Sequence, residues 1–171
     1  MKKIPSFEVD HERLLRGIYV SRKDHIGAET VTTFDVRLKR PNIDTVIKSN
    51  AMHTLEHLGA TFLRNHPVYA DQLIYFGPMG CFTGVYVVLK GDLESADVIT
   101  MMQDMFRFIA QYEGEIPGAA PKDCGNYTDH ELAGAKAEAL KYYEEVLMQL
   151  KDENLHYPDY VRDGEKQFDT H

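Results

Sequence analysis

The sequence predicts a single α+β domain in which an antiparallel sheet has helices packed on one face. Strand-like runs come early and are interrupted by one helical stretch, whereas the second half of the chain contains two long helical stretches. The 171 residues fit one hydrophobic core, because chains divide into separate domains mainly beyond about 250 residues. We expect the uncovered face of the sheet to be available to a second copy of the chain.

The first predicted strand is TVTTFDVRL at residues 30–38. Its apolar and polar side chains alternate, which is the period of a half-buried strand. Asp35 and Arg37 therefore share the polar face. Pro41 and Asn42 break the strand before the next element begins.

A helix is predicted to follow, with Ser49 or Asn50 as its N-cap. It continues to about Asn65 and is stopped by Pro67. The segment HTLEH at residues 53–57 lies inside this helix, where side chains three and four positions apart share a face.

Two more strands are predicted at residues 72–76 and 83–89, on either side of the turn Gly-Pro-Met-Gly at 77–80. This arrangement predicts an antiparallel pair. Cys81 lies at the exit of the turn rather than inside a strand or a helix.

Residues 96–112 have apolar side chains at three- and four-residue spacings, which predicts an amphipathic helix. The segment TDHE at 128–131 has the form of a capping box and predicts a last helix that ends near Lys151. We expect a single domain over residues 1–152 and a polar, unpacked tail over 153–171.

The composition disfavours several classes of partner. The chain has 19 basic and 27 acidic residues, a net charge of −8, which repels nucleic acid and anionic membrane surfaces. No apolar run approaches the roughly 20 residues of a bilayer span, and no export signal is evident, so we expect a cytoplasmic protein. In the reducing cytosol the two cysteines are better explained as metal-binding or catalytic thiols than as a disulfide.

HTLEH can supply part of a metal site. His53 and His57 are four residues apart on a helix, so both imidazoles can reach one ion. Glu56 flanks them, where a carboxylate can move protons, as in the inverted zincin motif H-x-x-E-H. A catalytic ion takes three protein ligands and keeps a fourth position open, so a third ligand must come from elsewhere. The alternative is a pair of surface histidines that never bind an ion.

Both cysteines are candidates for this chemistry. Cys124 precedes the last helix, beside Gly125, where the chain can bend towards an ion and a helix N-terminus favours a thiolate. Its alternative role is that of a small buried apolar residue. Cys81 is either a reactive thiolate that acts as base or nucleophile, or a fourth ligand that closes a structural site.

Several motifs occur together and in a fixed order: SFEVDH at 6–11, FDVRLKRPN at 34–42, HTLEHL at 53–58, FLRNH at 62–66, PMGC at 78–81 and Cys124-Gly125. Over about residues 5–150 the chain resembles the LuxS family of S-ribosylhomocysteine lyases. The resemblance implies a homodimeric, LuxS/metallohydrolase-like α+β fold with its sites at the dimer interface. The ordered set is far more specific than HTLEH alone.

The resemblance also implies a metal and two catalytic residues. One divalent metal per subunit, Fe(II) in the cell and often Zn or Co in preparations, is bound by His53, His57 and Cys124. Cys81 and Glu56 are the implied acid/base pair. Such enzymes move the carbonyl of S-ribosylhomocysteine along the sugar and then eliminate the thioether. The products are homocysteine, a methionine-cycle intermediate, and 4,5-dihydroxy-2,3-pentanedione, the precursor of the quorum-sensing molecule autoinducer-2.

Family resemblance implies substrate contacts for Ser6, His11, Arg37 and Arg64, with Ser6 and His11 reaching across from the partner subunit. An arginine suits the amino acid carboxylate because its fork binds carboxylates bidentately. For Arg37 the structural alternative is an ion pair with Asp35.

The chain departs from the family pattern around Cys81. Tyr75 stands where members usually have Asp, Gly77 stands where they have Ser, and Phe82 stands where Arg or Gln is common. None of these changes removes a metal or acid/base group. They therefore bear on substrate affinity rather than on the type of reaction.

Two other functions compete on the residues alone. In an inverted-zincin metallopeptidase, Glu56 would activate a zinc-bound water, but the sequence has no clear third carboxylate ligand downstream. In a closed structural zinc protein, Cys81, Cys124, His53 and His57 would all bind the ion, and chelation would unfold the chain.

Overall fold

The structure, a computed structural model, describes residues 9–159. Within this range, four strands form one antiparallel sheet in the order β1-β2-β4-β3, and three α-helices accompany it. The elements in chain order are β1 (Gly17–Ile26), β2 (Glu29–Arg37), α1 (Ser49–Arg64), β3 (Leu73–Pro78), β4 (Gly84–Lys90), α2 (Ile99–Gln111) and α3 (Leu132–Tyr142). The predicted α+β class is confirmed.

The hydrophobic core lies between one face of the sheet and the helices. Val87 on β4 is fully buried and lies opposite Phe34 on β2 and Phe76 on β3. Leu58 of α1 and Phe106 of α2 belong to the same buried cluster. This packing fixes α1, and therefore HTLEH, against the sheet.

The opposite face of the central strands is also covered in part. Asp35 on β2 lies opposite Tyr19 on β1 and Tyr86 on β4. Asp35 and Arg37 are only 2% and 3% exposed, so the prediction of a strand with one solvated face is wrong at this end of β2. The two charges satisfy each other, which allows both to be buried.

The predicted strands correspond to β2, β3 and β4, whereas β1 was not predicted. The sequence of β1, GIYVSRKDHI, begins with apolar residues and then turns charged, which weakens the alternation signal. Pairing with β2 holds it, from Gly17 opposite Arg37 to Ile26 opposite Glu29. Tertiary pairing therefore decides this strand.

The first two helices lie where the sequence predicts them, but α1 starts differently. Its N-cap is Lys48, whose side chain makes no capping hydrogen bond. Neither Ser49 nor Asn50 is therefore the cap. A 3₁₀ turn, Ser95–Val98, precedes α2.

The predicted capping box at 128–131 is wrong. Helix α3 begins at Leu132, and its N-cap is Glu131, whose side chain accepts a hydrogen bond from the Gly134 N–H at 2.9 Å. The cause is tertiary, because the Glu131 N–H donates to Thr54 Oγ1 on α1 at 3.0 Å. This contact fixes the chain before the helix begins.

The end of α3 also differs from the predicted end near Lys151. The α-helix ends at Tyr142, and a π-helical turn, Tyr143–Leu147, follows it directly. The buried Tyr142 hydroxyl donates to the Gly17 carbonyl at 2.7 Å, which ties the end of α3 to β1.

Residues 152–159, here called the C-terminal segment, pack against β1. Asn154 donates to the Arg16 carbonyl at 2.8 Å, and the Tyr157 ring stacks on Tyr19 with centroids 4.8 Å apart. The expectation of an unpacked tail is therefore wrong as far as residue 159. The limits of the domain at 1–152 stay a prediction, and the rest of the tail lies outside the described residues.

Within residues 9–159, no helix combines the length and the apolar character that crossing a bilayer requires.

Candidate functional site

Four side chains form a group that can hold a metal ion, here called the histidine–cysteine cluster. Their ligand atoms all lie within 4.8 Å of one another, and each residue is partly buried. Two come from α1 and two from the loop between α2 and α3. The members are His53, His57, Cys124 and His130.

The two histidines of α1 are oriented by carbonyl groups of that loop. His53 Nδ1 donates to the Asp129 carbonyl at 2.9 Å, and His57 Nδ1 donates to the Pro117 carbonyl at 2.7 Å. A carbonyl only accepts, so the proton of each ring is on Nδ1 and the lone pair is on Nε2. Outer partners of this kind orient metal-binding histidines in proteins.

Cys124 lies beside the first of these rings. Its Sγ is 3.4 Å from His53 Nε2, and the Asn126 N–H points at the same sulfur from 3.4 Å. A backbone N–H donor stabilises a thiolate, the form of cysteine that binds metals. The donor set of two imidazole nitrogens and one thiolate therefore fits a divalent metal such as zinc or iron.

Sequence reasoning missed His130, because it assigned the residue to a capping box. The ring stacks on His53 with centroids 4.0 Å apart. Burial lowers the pKa of His130, and a positive charge on His53 or His57 would lower it further, which favours the neutral ring. The position of His130 six residues after Cys124 is the only signal in the sequence, and it is weak.

A second site surrounds Cys81. It is a cavity of about 260 Å³, here called the thiol cavity, between the strand ends and the C-terminal segment. The residues that line it are Val9, His11, Ser21, Asp35, Arg37, Met79, Gly80, Cys81, Tyr86 and Tyr157. Cys81 and Cys124 are both free thiols.

A short relay of hydrogen bonds supports the Cys81 sulfur. Arg37 Nη1 donates to Thr83 Oγ1, and that hydroxyl lies 3.0 Å from Cys81 Sγ. Arg37 Nη1 is itself 3.8 Å from the sulfur. Partial burial raises the pKa of the Cys81 thiol, but the Thr83 hydrogen bonds and the Arg37 charge outweigh burial, so the pKa lies below its usual value.

Arg37 forms the ion pair that was the structural alternative to a substrate contact. Its Nε and Nη2 donate to the two carboxylate oxygens of Asp35 at 3.0 and 2.6 Å. The Tyr157 hydroxyl donates to Asp35 Oδ2 at 2.9 Å. Arg37 therefore lines the thiol cavity as a fixed positive charge with three of its nitrogens engaged.

The other predicted site residues lie in different places. His11 lines the thiol cavity of its own chain, with Nδ1 bonded to the Val9 carbonyl at 2.8 Å. Arg64 is exposed at the end of α1, donates to the Leu73 carbonyl at 2.6 Å, and does not line the thiol cavity. Glu56 is partly buried on α1 between the two cluster histidines. Ser6 lies outside the described residues.

Tyr75 and Gly77, two of the departures from the family pattern, are sterically coupled. A Cβ built on Gly77 would lie 2.1 Å from the Tyr75 hydroxyl. Gly77 pairs with Tyr86, which lines the thiol cavity. A side chain at position 77 would therefore displace the Tyr75 ring.

The histidine–cysteine cluster and the thiol cavity are distinct within one chain. None of the four cluster residues lines the cavity, and Cys81 is not a member of the cluster. The four-ligand structural site that includes Cys81 is therefore absent from residues 9–159. The third metal-binding candidate is the thiol of Cys124 rather than a carboxylate, which also argues against an inverted zincin.

The chain is similar to known proteins over most of its length. Residues 4–153 match the family model described as LuxS, S-Ribosylhomocysteinase. The S-ribosylhomocysteine lyase of Phocaeicola vulgatus is 60% identical over 92% of this chain and 98% of its own length. Those of Porphyromonas gingivalis and Desulfotalea psychrophila are 57% and 51% identical, over 93% and 92% of this chain and 100% and 99% of their own lengths.

Proposed function

Because the chain belongs to the LuxS family of S-ribosylhomocysteinases, we infer that it cleaves S-ribosylhomocysteine to homocysteine and 4,5-dihydroxy-2,3-pentanedione. The enzyme is a carbon–sulfur lyase. The observation that carries the proposal is the pairing of a metal-binding cluster with a separate cysteine whose thiolate is favoured.

The cluster supports one divalent metal per chain, held by His53, His57 and Cys124. When bound, such an ion acts as a Lewis acid that stabilises negative charge on a sugar oxygen. We propose Fe(II) as the metal in the cell, with Zn or Co as alternatives in preparations. In the neutral rings, the Nδ1–carbonyl bonds of both histidines leave each Nε2 lone pair available for this role.

Two side chains are proposed to move the protons. Shifting a carbonyl along a sugar requires removal of a proton from one carbon and its return to the neighbouring carbon. The Cys81 thiolate suits one of these transfers, since Thr83 and Arg37 stabilise its charge. The Glu56 carboxylate, one helical turn from His53, suits another transfer. In the elimination, a carbon loses a proton and the carbon–sulfur bond breaks to release the homocysteine thiol.

We propose that substrate binding involves the thiol cavity. Its fixed Arg37 charge and His11 face a space of about 260 Å³, which suits part of a small polar molecule. The roles of Ser6 and Arg64 as further substrate contacts are retained as proposals from the family resemblance.

We propose a cytoplasmic homodimer in which the thiol cavity of one chain faces the cluster of the other. The support is that no cluster residue lines the cavity of its own chain among residues 9–159. The edge strand β3 also exposes Ile74 and Tyr75 by about half, 50% and 49%, which is apolar surface that a second chain can cover.

The test is release of free thiol from S-ribosylhomocysteine, followed with a chromogenic thiol reagent. Metal-loaded wild-type protein is expected to release one thiol per substrate. Cys81→Ala and Glu56→Gln are expected to lower turnover at least about 100-fold, the usual contribution of a general acid or base, while each retains its metal. Absence of thiol release by the metal-loaded wild type would contradict the proposed function. Full activity of Cys81→Ala would exclude the role of this thiol.

A further inference from the structure

Within the part of the chain that the structure describes, the Nε2 atom of His130 has no hydrogen-bond partner. Among residues 9–159 it is the only buried side-chain nitrogen or oxygen that lacks a hydrogen-bond partner. Buried polar atoms in proteins are nearly always bonded, to the polypeptide or to something that the polypeptide binds. Because this atom lies in the histidine–cysteine cluster, its partner is expected to be a molecule that enters the cluster.

The hydrogen bonds around His130 determine which of its nitrogens carries the proton. Thr54 Oγ1 donates its single proton to the Asn50 carbonyl at 2.9 Å. The contact of 3.2 Å between Thr54 Oγ1 and His130 Nδ1 therefore requires Nδ1 to be the donor. In the neutral ring, His130 Nε2 then has a lone pair and can only accept.

The orientation of the ring argues against His130 as a ligand beside His53. An imidazole binds a metal in the plane of its ring, along the nitrogen lone pair. The rings of His53 and His130 are stacked 4.0 Å apart and only 23° from parallel, so one ion cannot lie close to both rings and in the plane of each. The rings of His53 and His57, by contrast, meet at 85°. The geometry therefore separates three ligands, which include Cys124, from a fourth residue with a different role.

We propose that His130 Nε2 accepts a hydrogen bond from a water or sugar hydroxyl that lies among His53, His57 and Cys124, and so positions the substrate for the reaction. This inference rests on the proposed function. Because His130 Nε2 is an acceptor beside the metal ligands, it selects an oxygen that still carries a proton. The hydrogen bond also fixes the direction of that O–H group. A bare carbonyl oxygen cannot make this hydrogen bond, so His130 favours one arrangement of the sugar over another.

The experiment uses Co(II)-loaded protein in which the Glu56→Gln substitution slows turnover. In this background, His130→Ala and His130→Gln are compared with the protein that retains His130. Metal content and the visible Co(II) spectrum report on the ligands. A spectral titration with S-ribosylhomocysteine gives the Kd. His25→Ala, an exposed histidine on β1, is the matched control.

We expect His130→Ala to retain its Co(II) and its ligand-free spectrum, and to bind S-ribosylhomocysteine about tenfold more weakly, as loss of one hydrogen bond implies. His130→Gln is expected to recover part of the affinity, because its amide oxygen can accept. Loss of Co(II) or a changed ligand-free spectrum in both variants would make His130 a ligand and overturn the inference.

An unchanged Kd in both variants would also overturn the inference. In that case wild-type protein would still cleave the substrate, so the proposed function would stand. If metal-loaded wild-type protein neither binds nor cleaves S-ribosylhomocysteine, the proposed function fails and the inference fails with it.

Discussion

At the scale of single residues, Cys81 shows how neighbouring groups can favour the charged form of a thiol. Burial alone disfavours a thiolate, yet the Thr83 hydroxyl and the Arg37 guanidinium both face the sulfur. Asp35 holds the guanidinium in place, and the Tyr157 hydroxyl donates in turn to Asp35. The reactivity of Cys81 therefore depends on the residues that surround its sulfur as well as on the thiol itself.

Replacing Thr83 by Val is expected to raise the pKa of Cys81, because the substitution removes the hydroxyl that donates to the sulfur. The lowered pKa of the wild type keeps the thiolate populated at lower pH. The pH dependence of Cys81 alkylation by iodoacetamide, measured by peptide mass spectrometry, should therefore move to higher pH in Thr83→Val. Thr128→Val, at an exposed loop position, should leave the profile unchanged. A profile that moves to lower pH would refute this account.

At the scale of elements, the loop between α2 and α3 contributes most to the cluster. It supplies Cys124 and His130, and it also supplies the two carbonyls that orient the histidines of α1. Gly118 follows the carbonyl that binds His57 and has a φ of +71°, a conformation that favours glycine. A Cβ at this position would lie 3.3 Å from His57 Nδ1.

Gly118→Ala is expected to weaken metal binding about 10- to 100-fold, the usual effect of disturbing an outer partner of a metal ligand. Competition with a chromogenic chelator measures the metal affinity. Gly114→Ala is the matched control, since Gly114 has a φ of +129° in the same loop but no cluster atom near its Cβ position. Equal losses in the two variants would show that backbone strain, rather than the contact with His57, causes the effect.

The elements also show how far sequence patterns reach. The alternation of apolar and polar residues was sufficient to predict β2, β3 and β4, and apolar residues at helical spacing were sufficient to predict α1 and α2. Each of these elements has an apolar face of its own. Strand β1 and the start of α3 depend on distant partners, namely β2 and the Thr54 hydroxyl, and local patterns do not contain these. His130 was missed for the same reason, since its place beside His53 follows from where α3 begins. Asp35, the ion-pair partner of Arg37, likewise has a distant contact, the Tyr157 hydroxyl of the C-terminal segment.

At the scale of the whole molecule, the separation of cluster and thiol cavity bears on assembly. A reaction that uses both Cys81 and the metal needs them in one place. Among residues 9–159 of a single chain, no residue belongs to both the lining of the thiol cavity and the histidine–cysteine cluster. A dimer with two composite sites satisfies this requirement through symmetry.

Mixing Cys81→Ala chains with His57→Ala chains tests the composite sites. Each mixed dimer should have one site with both substitutions and one site with neither. Random mixing of the two inactive proteins should therefore restore about a quarter of wild-type thiol release. A mixture of His57→Ala with Cys124→Ala should restore none, because both residues belong to the same cluster. No recovery in the first mixture would assign both groups to one chain.

Cys124 and His53 are 71 residues apart in the sequence, yet their side chains meet. An ion held by both would act as a cross-link that closes a long stretch of the chain, and closing a long stretch restricts the unfolded chain strongly. Chelation should therefore loosen the segment from about residue 113 to residue 130 before the sheet melts. Limited digestion at Lys122 would report the occupancy of the site without any substrate.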